Sequence, residues 1–492
     1  MTVSRGTPGI VGSDAMLVPD RSPPCLLPAA GLPLTAFEEF MFRDDRPSHP
    51  MAIVARFDFA GGPPPRALAT TFTAALRHEP LLTARIVAPR GGRPRWLSGP
   101  CPTLDVAAAE NAPVGQAAMV PAMPRLDPLT GPVLQARVIP GDDAWSLVVA
   151  VHHAACDGLG LIGFVERWLR LATDGVNDQG PDTADRREAL DGRGRVAGSW
   201  REFFRLLPKL STGLAGVRQF IGREVAALGE GVPDGGRPHR DATSPPPWRP
   251  AVVTTALDAG LVGRLDDRAR RQGVTVNDLL MAALMTTLGD HGALAARPAG
   301  GERWIRLATP MSLRTAADDH LPAVNRVSMV FLDRRPSDLR DEARLLAGLR
   351  EEMDLIRSHH LGHILPLSLE AGRWCPGGLA RTARRPQPQS TAVLSNLKRC
   401  FQDSPLADAD GAVRVGSSRL TGWWFVPPVR PGTALAAGTH ETCGRRTIAF
   451  HVDESRVRLE VARGWLNRME ETLRALADTA PGRPTLLAAA VP

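Results

Sequence analysis

The residues best suited to chemistry are two adjacent histidines, His152 and His153, followed by Asp157 and Gly158 in the stretch HHAACDG. An imidazole titrates near neutral pH and can take a proton from an alcohol or an amine, which is what acyl transfer to a weak nucleophile requires. A carboxylate a few residues further on can either orient the imidazole or pair with a distant arginine and pin the loop. Gly158 and Gly160 permit backbone geometry that a side chain would obstruct. Paired histidines at a strand end are often ordinary satisfied polar groups, but the full spacing of this stretch favours a general base. A metal reading of the two histidines and the aspartate lacks a companion cluster of His, Cys or Glu, so no metal is expected.

A second histidine group, His359, His360 and His363 in SHHLGHIL, could set two ligands one helical turn apart. No acid is interleaved and Gly362 weakens the helix, so a partly exposed polar patch is the better reading. The chain has no Gly-x-Ser-x-Gly elbow and no phosphate-cradling glycine loop with its lysine, which argues against a serine hydrolase or a nucleoside triphosphatase. Lys209 and Lys398 are the only lysines and neither sits in a cofactor-like motif, so Schiff-base chemistry is disfavoured. The cysteines are scattered with no Cys-x-x-Cys pair, so reduced thiols are the default.

The elements that must position these residues follow from periodicity. The apolar run from Leu147 to Val151 reads as a buried strand ending at the histidines, and Asp157-Gly158 turn the chain into a helix over 160–173. Upstream, strands are expected at 51–59, 81–88 and 131–139, with an amphipathic helix at 66–80. Downstream, a strand is expected at 251–259, helices at 260–272 and 276–289, and strands at 304–311 and 326–333. A helix at 336–358, strands near 391–395, 413–424, 433–440 and 446–452, and a closing helix at 454–477 complete the reading. Thr275 with Asp278 is a capping arrangement, which makes Asn277 and Asp278 structural first.

A chain of 492 residues, 43% of them hydrophobic, can bury a large core and should divide into two or three domains. The expected divisions are a leader at 1–31, a first half at 32–190, a basic-apolar segment with a Pro/Gly linker at 191–249, a second half at 250–480 and a tail at 481–492. The formal charge of +7 would suit a polyanionic partner, but abundant Arg, Ala, Gly and Pro with no tyrosine point to compositional bias, and no nucleic-acid partner is expected. No long apolar run or secretory leader occurs, so a cytoplasmic protein is expected. The segment 199–228 mixes Trp200, Phe203 and Phe204 with Arg201, Arg205, Lys209, Arg218 and Arg223, which suits either peripheral contact at the inner membrane surface or a helical cover for the core.

The stretch HHAACDG resembles the HHxxxDG motif of peptide-synthetase condensation domains, wax ester synthase/diacylglycerol acyltransferases and alcohol acetyltransferases, and a similar motif occurs in chloramphenicol acetyltransferase. LPLTAFEEFMFRDDRPSHPM, LDPLTGPVLQARVI, TVNDLLMAAL, ATPMSLR and NRVSMVFLD extend the resemblance over roughly residues 32–478. It implies an α/β fold of mixed sheets, in which two chloramphenicol-acetyltransferase-like halves form a pseudo-dimer with a tunnel between them. It further implies that His153 is the base, that His152 and Asp157 complete the motif, and that Asp157 pairs with Arg314 beside Gly158. Ser395, Asn396, Asn277 and Asp278 would then lie near the tunnel.

The implied reaction moves an acyl group from a coenzyme A or carrier-protein thioester, used as co-substrate, to an alcohol or amine, with no bound cofactor. The acceptor is a small molecule or a lipid. The Pro-Leu-Trp element of wax ester synthases is missing and SNLKRC lacks their Pro-Gly-Pro, which draws the reading toward the condensation and alcohol-acetyltransferase branches. A wax-synthase activity on lipid alcohols, and a catalytically silent scaffold of the same fold, are the alternatives.

Overall fold

The computed structural model describes residues 27–62, 65–107, 125–175, 190–195, 208, 223–226, 248–290, 303–318, 321–384 and 389–478. The first half runs β1 (Leu32–Pro33), α1 (Ala36–Asp44), β2 (Ala52–Ala60), α2 (Pro65–Leu76), β3 (Ala84–Val87), β4 (Arg95–Ser98), β5 (Leu104–Val106), β6 (Leu134–Pro140), β7 (Ala144–His152) and α3 (Gly158–Asp174). The second half begins with β8 (Pro250–Leu257), α4 (Ala259–Gln272), α5 (Val276–Gly289), β9 (Ile305–Ser312), β10 (Val327–Arg334) and α6 (Glu342–Ser358). It continues through α7 (Ile364–Gly372), α8 (Gly378–Ala383), β11 (Ala392–Arg399), β12 (Arg414–Val415), β13 (Ser418–Val426), β14 (Leu435–Thr442), β15 (Arg445–Asp453) and α9 (Leu459–Asp478).

Two six-stranded sheets organise these elements, in the orders β12-β13-β2-β7-β6-β5 and β10-β9-β11-β14-β15-β8, beside a small sheet β1-β4-β3. Both large sheets mix parallel and antiparallel pairs, as the α/β reading expects. β2 and β7 pair antiparallel from Ala52 opposite His152 to Ala60 opposite Ala144, so the paired histidines sit at the end of a central strand. β7 is buried from Trp145 onward, which accounts for its continuous apolar run.

Helix α3 covers this sheet because Leu161, Phe164, Val165, Trp168 and Leu169 recur on one face, all of them buried. Each such side chain contributes about 1.5–3 kcal/mol. Trp168 rests on Phe72 of α2 and donates its indole N–H to Leu68 O at 3.2 Å. On the other sheet α5 is buried from Asp278 through Leu288, hence apolar all round, and it is held between α9 and α6.

Several boundaries differ from the sequence expectation for local reasons. The helix expected at 66–80 stops at Leu76, ahead of Pro80. The helix expected at 336–358 is a short 3-10 turn followed by α6, which restarts at the Asp341 cap. The expected leader extends too far, because Leu27 is already buried in the core, while residues 1–26 and 479–492 lie outside the described residues.

The larger correction concerns the second half. β12 and β13 belong by sequence to 250–480 but complete the first sheet, with β13 paired antiparallel to β2 from Val426 opposite Val54 to Arg419 opposite Ala60. The two sheets therefore exchange chain. At the crossing a Cβ on Gly438 of β14 would stand 2.1 Å from Phe425 O, so only glycine admits this approach. Among the described residues no helix is long and apolar enough to cross a membrane.

Candidate active site

The chain leaves β7 into a loop fixed by backbone hydrogen bonds. His152 N–H donates to Val133 O, His153 N–H to Met51 O and Ala155 N–H to His152 O, each within 2.7–2.8 Å. From the other half Asn325 Nδ2 donates to the carbonyls of His153 and Ala154, both at 2.9 Å. The loop is thus clamped from both sides before any side chain acts.

The two histidines have different surroundings. His152 is buried, its Nδ1 accepts from Ala154 N–H at 3.1 Å, and its Nε2 faces Asp45 Oδ1 at 3.8 Å. Burial holds its pKa at about 4, so it is a neutral spacer. His153 lines a cavity of about 660 Å³. Its Nδ1 lies 3.2 Å from Cys156 O, an acceptor only, so Nδ1 carries the proton and Nε2 is left as the basic nitrogen. Burial lowers the His153 pKa below the ordinary value, partly offset by hydrogen bonding and the Asp157 charge, and the ring is neutral at pH 7.

Asp157 is fully engaged. It caps α3 by accepting from Gly160 N–H at 2.8 Å, and its other oxygen accepts from Arg314 Nη1 at 2.6 Å and Arg326 N–H at 2.8 Å. Arg314 Nη2 also donates to Val324 O at 3.0 Å. Gly160 passes so close that a Cβ there would lie 3.2 Å from the Val324 backbone. Asp157 therefore joins the halves and holds the loop.

The cavity wall is apolar near His153, with Phe37, Met51 and Ile53 from the first half and Pro310, Val327 and Met329 from the second. No family model matches the chain, and no curated protein matches it. Solved structures do. The condensation domain of the monacolin K polyketide synthase MokA aligns with a TM-score of 0.65 at 17% identity, over 93% of this chain and 99% of that one. The first condensation domain of the calcium-dependent antibiotic synthetase, in complex with a substrate analogue, aligns at 0.64 and 16%, over 94% and 99%. A variant of the starter condensation domain of rhizomide synthetase RzmA, in complex with C8-CoA, aligns at 0.61 and 15%, over 92% and 95%.

The chain has the condensation-domain fold. Within that fold the four residues expected near the tunnel divide. Ser395 lines the cavity, as does Val393 two residues earlier on the same face of β11. Asn396 points the other way, where its Nδ2 donates to Asn277 Oδ1 at 3.1 Å. Asp278 is spent on the capping box with Thr275. Asn277, Asp278 and Asn396 thus do not line the cavity, contrary to expectation, because strand alternation and the cap direct them to the α5 entrance.

The second histidine group is not a continuous helix. α6 ends at Ser358, His360 is left-handed with φ 53°, and His363 follows in a 3-10 turn. Of the basic-apolar segment expected at 199–228, residues 199–207, 209–222 and 227–228 lie outside the described residues. Arg223 is described and does not suit a lipid-facing role: it pairs with Asp333 at 3.1 Å, stacks on Trp304 and lines the cavity.

Sequence reasoning missed Asp45, which faces His152 and pairs with Arg125 while accepting from Met51 N–H at 2.9 Å. It also missed Asn325 as a residue of the site, although Asn325 opens the resembling stretch NRVSMVFLD, which was the available signal. Arg306 and Arg430 on the far wall carried none.

Proposed function

We propose that the chain is an acyltransferase of the condensation type, moving an acyl group from a coenzyme A or carrier-protein thioester to an alcohol or amine. The observation that carries this reading is the His153 ring, whose Nδ1 is committed to Cys156 O while Nε2 remains for a substrate at the cavity wall. In the proposed step Nε2 takes the acceptor proton as the acceptor oxygen or nitrogen attacks the thioester carbonyl. The C–S bond then breaks and the leaving thiolate recovers the proton from the imidazolium. No acyl-enzyme intermediate is required. Asp157 and Arg314 act as positioning residues for the loop, and Gly158 leaves room for Leu397, which a Cβ there would approach to 3.1 Å. The two substrates would enter the cavity between the halves from opposite faces. The likeness to a starter condensation domain solved with C8-CoA supports a thioester donor.

The test is a panel of acyl-CoA, acyl-pantetheine and carrier-bound thioesters against alcohol and amine acceptors, read by mass spectrometry with wild-type protein and His153→Ala. An ester or amide product formed by the wild type and lost in a folded His153→Ala protein is expected. Equal product from both would refute the base assignment.

A further inference from the structure

Away from His153 the cavity is walled by three strands whose side chains stand in levels. β9 and β10 pair in register, with Pro310 opposite Met329, Ala308 opposite Phe331 and Arg306 opposite Asp333. Val327 comes one level before these pairs, next to Asn325 and Arg326, which hold the His153 loop. β11 lies parallel to β9 with Val393 opposite Ala308, so Ser395, two residues on, stands one level nearer His153. Successive levels are two residues or about 6.6 Å apart, and the three steps from the level of Val327 to that of Arg306 span about 20 Å.

Along that length Val327, Pro310, Met329, Ala308, Phe331 and Val393 all line the cavity and all are apolar. The apolar lining ends at Arg306, whose guanidinium is joined to Asp333 by two hydrogen bonds of 2.7 and 2.8 Å. A polar ligand laid along such a wall would give up its water without gaining hydrogen bonds, whereas a run of methylenes gains with every carbon buried. A zigzag of carbon–carbon bonds advances about 1.25 Å per carbon, so one level corresponds to about five carbons and the whole length to about sixteen.

Ala308 decides how much of this length is open. It is buried among Val393, Met329 and Phe331, and it carries the smallest side chain of its level. Strand alternation turns residue 308 to the same side as Pro310, so leucine there would extend into the channel between Phe331 and Val393. We propose that the channel takes a straight aliphatic chain of about sixteen carbons whose reacting end lies at His153, and that the alanine at 308 sets how far the chain reaches. The proposal rests on the acyltransferase reading for the reacting end, but the dependence on chain length is a matter of binding and is measured without turnover.

Two series of straight chains, primary alcohols and S-acyl-pantetheines from propyl to octadecyl, are to be titrated below their micellar concentrations against wild-type protein, Ala308→Leu and Ser395→Leu. In the wild type affinity should rise roughly two- to fourfold per added carbon as far as hexadecyl. The rise should stop at about ten carbons in Ala308→Leu and about five carbons earlier in Ser395→Leu, one level nearer His153. If Ala308→Leu fails to fold, Val393→Phe at the same level takes its place. A ladder in the acyl-pantetheines assigns the channel to the donor chain and a ladder in the alcohols assigns it to the acceptor, and either upholds the proposal. Affinity that is flat with length in the wild type would overturn it, as would variants that break off at one common length or not at all. The expected ladder and breaks without turnover of any thioester would uphold the channel and reject the acyltransferase reading instead.

Discussion

The loop at His152–Asp157 and the stretch at His359–His363 are both histidine-rich and follow regular elements, yet only one is organised as a site. In the first, backbone hydrogen bonds to Met51 and Val133 and the side-chain amide of Asn325 clamp the loop, Cys156 O fixes the tautomer of His153, and an ion pair anchors Asp157. In the second, α6 has ended, His359 is half-buried and among the described residues bonds only to the neighbouring Ser358 and Leu355, and His360 sits in a left-handed conformation. Among the described residues no group of three His, Cys, Asp or Glu could hold a metal. Imidazole chemistry thus depends on convergent support from distant segments, which local residue density does not supply.

The largest effect is expected from His153→Ala, which should lower turnover by roughly 100-fold or more with an unchanged melting profile. A loss of comparable size from His363→Ala would erase the distinction. Next, Asp157→Asn should cost about 3 kcal/mol of stability, because Arg314 keeps its charge in a partly buried position with its carboxylate gone. Its melting temperature would fall along with activity, whereas Arg357→Ala beside His360 should leave both in place.

With its pKa lowered from 6.5, His153 stays basic through neutrality, so the rate should hold to pH 6.5 and fall only below it. Stability should also decline as pH falls from 6.5 toward 4, since the unfolded chain binds protons that His152 and His49 refuse while folded. Calorimetric melting across that range checks the sign. The smallest effect is expected from His360→Gly. Relieving φ 53° should raise stability by about 0.5–1 kcal/mol with turnover unchanged.

Much of this was legible in the sequence where one segment determines its own structure. The strand ending at His152, the turn at Asp157-Gly158 into a helix and the Thr275–Asp278 box are local patterns, and they appear in the structure. Strand alternation could have sorted Ser395 from Asn396, had the direction of β11 been known. What could not be read depends on contacts across hundreds of residues. Arg306 and Arg430 look like any surface arginines until β9 and the loop after β13 bring them to one cavity. The left-handed turn at His360 was invisible because histidine rarely signals it.

The exchange of β13 into the first sheet has a consequence for how the chain is made. β2 finds its second neighbour only at residues 419–426, more than three hundred positions later. During synthesis the first half must wait with an apolar strand edge open, including Phe57, which in the finished protein stacks on Trp423 at 5.1 Å. An edge of that kind is a template for wrong pairing, and contacts so distant in sequence form slowly. The two halves are consequently one folding unit, and a gene cut at the linker would yield a first half lacking part of its own sheet and core.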